Sequence, residues 1–221
     1  MLLTNLLFPF AGKLLFPNRC VFCGKILSPW QRSLCSTCKA KAATQASERL
    51  EDDCLVTCRT ALRYEGVVRE NLLRYKFYGN TGNAPTYAAL LAECLMNSRY
   101  ERVDFVTWVP VSRRRKRSRG FDQAELLARL VAKELKLPAK ATLKKVVHNR
   151  AQSSIQDAKK RKNNVHNVYR TRDADLNGKR ILLIDDIVTT GATLSECRDV
   201  LRAAGAKAVF CAALATPPAE H

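Results

Sequence analysis

Four aliphatic residues in a row, Ile181 to Ile184, are followed directly by Asp185 and Asp186. A short apolar run suits a parallel strand covered on both faces, and two adjacent carboxylates cannot continue into such a core without a large desolvation cost. The strand is therefore expected to end at Asp185 and Asp186. Beyond it, Leu194, Cys197, Val200, Leu201 and Ala204 recur at helical spacing, Gly205 stands where a helix stops, and Ala208 to Ala215 is again strand-like. Ile181 to Ala215 thus reads as a strand, helix, strand unit. In such units ligands bind outside the carboxyl ends of the strands, where Val188 to Thr193 lies.

The same alternation runs upstream through LVTCRTALRY, VVRENLLRYKF, TYAALLAECLMNSRY, DFVTWVPV and AELLARLVAKEL. It predicts a mostly parallel α/β sheet with helices on both faces. With 221 residues and 47% hydrophobic side chains, the chain has enough apolar material for a sizeable core, which excludes an ordinary disordered chain. A formal charge of +18 points toward anionic partners: phosphate esters, nucleic acid or acidic lipid. Charge alone does not choose among them, and a solvated basic face is the plain alternative.

Nine cysteines need an explanation, and four of them supply it. Cys20 and Cys23, then Cys35 and Cys38, form two pairs whose spacing lets both thiolates of a tight turn point at one ion, with Gly24 easing the first turn. Four thiolates suit a closed structural zinc site. Cys54, Cys58, Cys94, Cys197 and Cys211 read instead as core or strand residues. The polar stretch KAKAATQASERLEDD separates this module from the rest of the chain, so residues 1–42 are expected to hold an apolar segment and the zinc module, and residues 43–221 the α/β domain. The opening segment MLLTNLLFPFAGKLLFP is broken by Pro9, Gly12, Lys13 and Pro17 and does not read as a leader or a stable membrane insertion. It is expected to pack on the body, with peripheral membrane contact as the alternative. A cytoplasmic, reducing location then favours metal binding over disulfides.

The loop after the acids has its own chemistry. Backbone N–H groups at a helix start, with the hydroxyls of Thr189, Thr190 and Thr193, can surround a phosphate, and Gly191 lets the backbone approach it. Asp185 and Asp186 repel phosphate and must face another part of the ligand. Vicinal ribose hydroxyls donate well to carboxylates, so the combination suggests a ribose 5-phosphate moiety.

The thirteen residues ILLIDDIVTTGAT resemble the signature of the type I phosphoribosyltransferases: four apolar residues, two acids, two apolar residues and a TTG-type loop. The resemblance implies a type I phosphoribosyltransferase-like sheet. It implies that Asp185 and Asp186, as catalytic residues, hold the ribose 2- and 3-hydroxyls of phosphoribosyl pyrophosphate. Val188, Thr189, Thr190, Gly191, Ala192 and Thr193 would then hold its 5-phosphate. LLFPNRCVFCG, YEGVVRENLLRYKFYGN, WVPVSRRRKRSRGFDQAELLA and AQSSIQDAKKRKNNV narrow the resemblance to the ComF family, which includes DNA-utilization and competence proteins. Two departures stand out: the family commonly has asparagine where Asp122 stands, and Cys54 and Cys58 do not reproduce a second cysteine set, so one zinc is expected.

By this resemblance the arginine-rich run after DFVTWVPV is a loop touching pyrophosphate. Arg113, Arg114, Arg115 and Arg119 would neutralise the diphosphate, with Mg²⁺ held mainly by ligand oxygens. The remaining cations are solvated or serve another polyanion such as single-stranded DNA; Phe77, Tyr78 and Phe121 are the nearby aromatics, and Phe121 is expected to pack under its loop. Gln152, Arg161 and Asn164 lie where a mobile flap closes in type I enzymes, or alternatively on a surface helix. The resemblance implies a protein that binds phosphoribosyl pyrophosphate and acts in natural competence or the use of imported DNA, with single-stranded DNA and DNA-uptake proteins as partners. The alternative is an active phosphoribosyltransferase of nucleotide salvage with no direct DNA role.

Overall fold

The central strands of the main sheet are short and apolar enough to be buried on both faces, and the chain threads the sheet as strand and helix in alternation. The computed structural model describes residues 17–31, 33–42, 58–96, 102–146, 168–172 and 175–218. In chain order the described elements are helix α1 (Ser36–Ala42), strand β1 (Cys58–Arg63), helix α2 (Gly66–Phe77), helix α3 (Ala84–Met96), strand β2 (Phe105–Trp108), helix α4 (Arg113–Arg119), helix α5 (Gln123–Glu134), strands β3 (Leu143–Lys145), β4 (Tyr169–Thr171) and β5 (Arg180–Ile187), helix α6 (Ala192–Ala203) and strand β6 (Ala208–Thr216). β1, β6, β5 and β2 form a parallel sheet in that order, and β3 pairs with β4 as an antiparallel ribbon.

Because side chains alternate along a strand, β5 divides the core into two layers. Leu182 and Ile184 join Val106, Leu62 and Leu214 under α2, α3 and α5. Ile181 and Leu183 join Phe105, Cys211 and Ala213 under α6 and the β3–β4 ribbon, where Leu194, Cys197 and Leu201 are buried. Each fully buried aliphatic side chain contributes about 1.5–3 kcal/mol. Such burial on both faces holds β5 in the middle of the molecule.

The structure corrects two expectations. β5 does not stop at the acids; it continues to Ile187, paired with β6 through Asp185 opposite Ala213 and Ile187 opposite Ala215. Only its other side is released: the pairing with β2 ends at Trp108 opposite Ile184, and one further bond runs from the Val109 N–H to the Ile184 carbonyl. The sheet therefore opens beside the two carboxylates while their own strand stays paired. The arginine-rich run is also not a loop but the helix α4, started by the Ser112 hydroxyl, which accepts from the Arg115 N–H, and stopped by Gly120 at φ 79°.

The cysteine module packs onto the helical layer. Cys20, Phe22, Leu27, Cys35 and Cys38 belong to the same buried cluster as α2, α3 and α5. The Phe22 ring stacks on Tyr87 at 6.4 Å between centroids, and Asn71 Nδ2 donates to the Phe22 carbonyl at 3.2 Å. Among the described residues, no helix is long and apolar enough to cross a membrane.

Candidate functional site

A cleft of about 450 Å³ lies at the carboxyl end of the sheet, where β2 and β5 part. Its floor is Asp185 to Leu194; its walls come from α2, from the segment Val109 to Val111 with α4, and from Lys145 and Tyr169 on the β3–β4 ribbon. All of Asp185, Asp186, Val188, Thr189, Thr190, Gly191, Ala192 and Thr193 line it.

Alternation along β5 places the acids on opposite faces. Asp185 shares the α6 face with Leu183, and Asp186 shares the α2 face with Ile184. Each carboxylate binds the next backbone N–H: Asp186 N to Asp185 Oδ1 at 2.8 Å and Ile187 N to Asp186 Oδ1 at 2.7 Å. Asp186 also meets Lys76 Nζ at 3.2 Å, an ion pair not anticipated from the sequence. Burial opposes ionisation of Asp186, but the Lys76 ammonium and the Ile187 N–H outweigh it and hold this carboxyl below its ordinary range. Burial, reinforced by the negative charge of Asp186, pushes Asp185 well above it. The two carboxyls are thus driven apart, and a proton shared by the pair resides on Asp185 in preference to Asp186.

Gly191 begins α6 at φ 71°, a left-handed conformation, and no side chain caps the helix. A side chain there would meet nothing within 4 Å, so glycine serves the backbone angle and not close packing against the protein. The N–H groups of the first turn open into the cleft with the positive end of the helix dipole, an arrangement suited to an anion.

The basic helix is divided by its own geometry. Arg115 and Arg119, one turn apart, line the cleft, whereas Arg113, Lys116 and Arg117 line a separate surface hollow with Gly120. Arg114 is exposed and lines neither. Arg119 donates to Gln123 Oε1 at 3.0 Å and lies 4.9 Å above the Phe77 ring. Gln123 in turn donates to the Lys76 carbonyl at 3.0 Å, so one amide ties the basic helix to the end of α2. Asp122, where the family commonly has asparagine, does not face the cations. It is buried as the cap of α5, accepting from Glu125 N at 3.1 Å and from Val111 N at 2.9 Å. Phe121 packs edge-on against Tyr75 at 5.7 Å, as expected.

On the third wall, burial and the neighbouring Arg115 lower the pKa of Lys145, whose Nζ lies 3.4 Å from the Tyr169 hydroxyl. Glu196 of α6 anchors this ribbon by accepting from Val168 N at 2.6 Å. Lys76 and Gln123 lie in segments that carry the family resemblance, Lys145 and Tyr169 in none, and no local pattern marks any of the four as a neighbour of the acids. Only the folded sheet brings them to the acids. Gln152, Arg161 and Asn164, with Cys54, lie outside the described residues.

The four sulfurs of Cys20, Cys23, Cys35 and Cys38 lie within 4.8 Å of one another. Cys23 and Cys35 Sγ are 3.8 Å apart, the edge length of a tetrahedron whose centre lies about 2.3 Å from each sulfur, the zinc–thiolate distance. Burial works against the Cys20 thiolate, yet backbone donors at Cys23, Cys35 and Phe22 bring this thiol down to about 6. The set can hold a metal ion. Cys58, Cys197 and Cys211 are buried in the core as expected, and Cys94 is half-buried.

Residues 122–221 match the phosphoribosyl transferase domain family. The chain is 30% identical over 195 residues to the competence protein ComFC of Streptococcus pneumoniae, covering 85% of this chain and 84% of that protein. It is 31% identical over 106 residues to the DNA utilization protein YhgH of Escherichia coli, covering 48% of this chain and 46% of that protein. Among solved structures, the allosteric regulatory enzyme of purine biosynthesis aligns with 65% of this chain and 30% of its own, at 21% identity and a TM-score of 0.43. The chain therefore belongs to the ComF family of competence and DNA-utilization proteins, and its α/β body is a type I phosphoribosyltransferase-like domain.

Proposed function

We propose that the cleft binds phosphoribosyl pyrophosphate with magnesium and presents its anomeric carbon for displacement, and that the protein acts in natural competence or the use of imported DNA. One observation carries the reading: two acids at a released strand edge lead directly into an uncapped helix start, and cations one turn apart face them across the same cleft. Asp185 and Asp186 hold the ribose hydroxyls. The Val188 to Thr193 turn takes the 5-phosphate on backbone N–H groups and hydroxyls. Arg115 and Arg119 neutralise the diphosphate; Arg113 and Arg114, turned elsewhere, contribute only to the field around it.

Among the described residues, the cleft has no group of three clustered metal donors. This fits a magnesium ion held mainly by ligand oxygens, with Asp185 and Asp186 as the available protein carboxylates; when bound, it neutralises charge on the diphosphate. We further propose a structural zinc ion on Cys20, Cys23, Cys35 and Cys38 within a module of residues 1–42, and a cytoplasmic location. The names of the relatives support the competence role, and the exposed Phe77 and Tyr78 beside α4 support contact with single-stranded DNA.

Calorimetry with phosphoribosyl pyrophosphate and magnesium tests the central point. Wild-type protein should bind, and Asp186→Asn should weaken binding by at least about tenfold, the loss of one charge-assisted hydrogen bond. Undetectable wild-type binding at millimolar ligand removes the reading. Titration of fluorescent single-stranded DNA at several salt concentrations tests direct contact, and transformation frequency in a deletion strain tests the cellular role.

A further inference from the structure

We propose that Tyr64, Arg69 and Leu73 form the subsite for the acceptor of the phosphoribosyl group, and that this acceptor is a flat molecule carrying a negative charge. The inference rests on reading the cleft as a phosphoribosyl pyrophosphate site.

Helix α2 shows two adjacent stripes. Val68, Leu72 and Tyr75 are buried in the core. The residues one position further on, Arg69, Leu73 and Lys76, have the same helical spacing and all line the cleft. Lys76 is engaged by Asp186 at 3.2 Å. Arg69 stands about 10 Å back along the helix from Lys76 at ~1.5 Å per residue, beyond the ribose hydroxyls that Asp186 serves and at the distance of a second, ring-sized ligand. Tyr64 is fixed beside this stripe, its backbone N–H donating to the Thr216 carbonyl at 2.7 Å.

The order of strands puts this wall opposite the diphosphate. At the carboxyl edge of the sheet, β2 with α4 lies on one side of β5, while β6 and β1, which leads into Tyr64, lie on the other. In a single displacement the bond from the anomeric carbon to the diphosphate oxygen breaks and its electron pair leaves with pyrophosphate. A lone pair of the acceptor forms the new bond from the opposite face, and an acceptor N–H proton passes to the departing pyrophosphate. With pyrophosphate drawn toward Arg115 and Arg119, the acceptor enters from the side of Tyr64 and Arg69.

The residue types select its chemistry. Tyr64 and Leu73 offer aromatic and apolar surface to a ring, and the Arg69 guanidinium matches a carboxylate or phosphate in a planar, two-pronged contact. Glu65, next to Tyr64 in the chain, is paired with Arg63 at 3.9 Å.

Binding isotherms on the full-length protein saturated with ribose 5-phosphate test this without requiring turnover. Orotate and nicotinate serve as flat carboxylate probes, adenine and hypoxanthine as flat uncharged ones. The carboxylates should bind at least about tenfold tighter; Arg69→Gln should erase that preference, Arg69→Lys should restore part of it, and both variants should keep wild-type affinity for ribose 5-phosphate. Equal or tighter binding of the uncharged probes, or no binding of any probe at millimolar concentration, overturns the proposal. So does a matching loss of ribose 5-phosphate affinity in Arg69→Gln, because Arg69 would then belong to the sugar phosphate site. Failure of wild-type protein to bind ribose 5-phosphate or phosphoribosyl pyrophosphate at all marks failure of the underlying reading instead.

Discussion

Asp185 and Asp186 are chemically identical neighbours whose surroundings drive them apart. Asp186 is held ionised by Lys76, while Asp185 is half-buried on the other face, on the α6 side, and its carboxyl is pushed up. For Asp185 the folded-state pKa exceeds the unfolded one, so its contribution to stability is fully present in acid, below about 4, and is lost as pH rises through the folded value. Asp185→Asn should therefore raise the Tm near neutrality by a few degrees, on the order of 1 kcal/mol for a chain of this size, while weakening phosphoribosyl pyrophosphate binding. The gain in Tm should shrink toward zero as thermal melts are repeated at lower pH; a gain of the same size at about pH 3 would contradict it. Lys76→Gln tests the other half. The Lys76 and Asp186 side chains are 28% and 14% exposed, so breaking the pair should cost about 1–3 kcal/mol near neutral pH by denaturant unfolding. Because the Asp186 pKa is depressed in the folded state, that cost should be full above the unfolded value of about 4 and should fade as pH falls through the lower folded value. The acids were legible in the sequence because a pair of charges at the end of an apolar run violates the pattern around it. Lys76 was not, because an isolated lysine on a helix has no local signature and its partner comes from a distant strand.

At the level of elements, ends decide more than interiors. The run from Arg113 to Arg119 has no apolar period from which a helix is read, and its like charges repel; the structure makes it helical because Ser112 caps its start and Gly120 supplies the left-handed stop. Those two residues were the available signals, and the row of arginines between them reads as a loop. The consequence for the site is direct, since helical spacing turns Arg115 and Arg119 inward and sends Arg113 elsewhere. Asp122 shows the same logic at α5: Asp122→Ala should lower stability by about 1–2 kcal/mol through loss of the cap. Asp122→Asn, which keeps one acceptor for Glu125 N but loses the second for Val111 N, should cost less, as thermal denaturation will show. At α6, Gly191→Ala forces an L side chain to φ 71° and should cost about 1–2 kcal/mol, with a parallel loss of phosphate affinity, whereas Gly191→Asn should be milder. Equal effects of alanine and asparagine would show that the backbone angle is not the reason for glycine.

The cysteine module and the α/β body meet through a shared buried cluster, a feature of the whole molecule. Stripping the metal should do more than unfold residues near 20–40. Losing the Phe22 contacts removes about 2–3 kcal/mol of apolar burial from the α2 and α3 layer, so the Tm of the entire chain should fall by about 5–10 °C. Circular dichroism before and after chelation, with metal analysis of the native protein, measures both. A main transition unmoved by complete chelation would show that the two parts are energetically separate.

Local pattern in the sequence determined the alternating strands and helices, the tetrad of cysteines, and the acid and threonine turn at a strand end. Each of these is written in residues close together in the chain. Tertiary structure decided where strand pairing stops, which arginines turn inward, that Lys76 neutralises Asp186, and that the cysteine module shares the core of the body. Those facts depend on sheet order and on contacts between residues far apart in the chain, which the periodicity of any one segment does not encode.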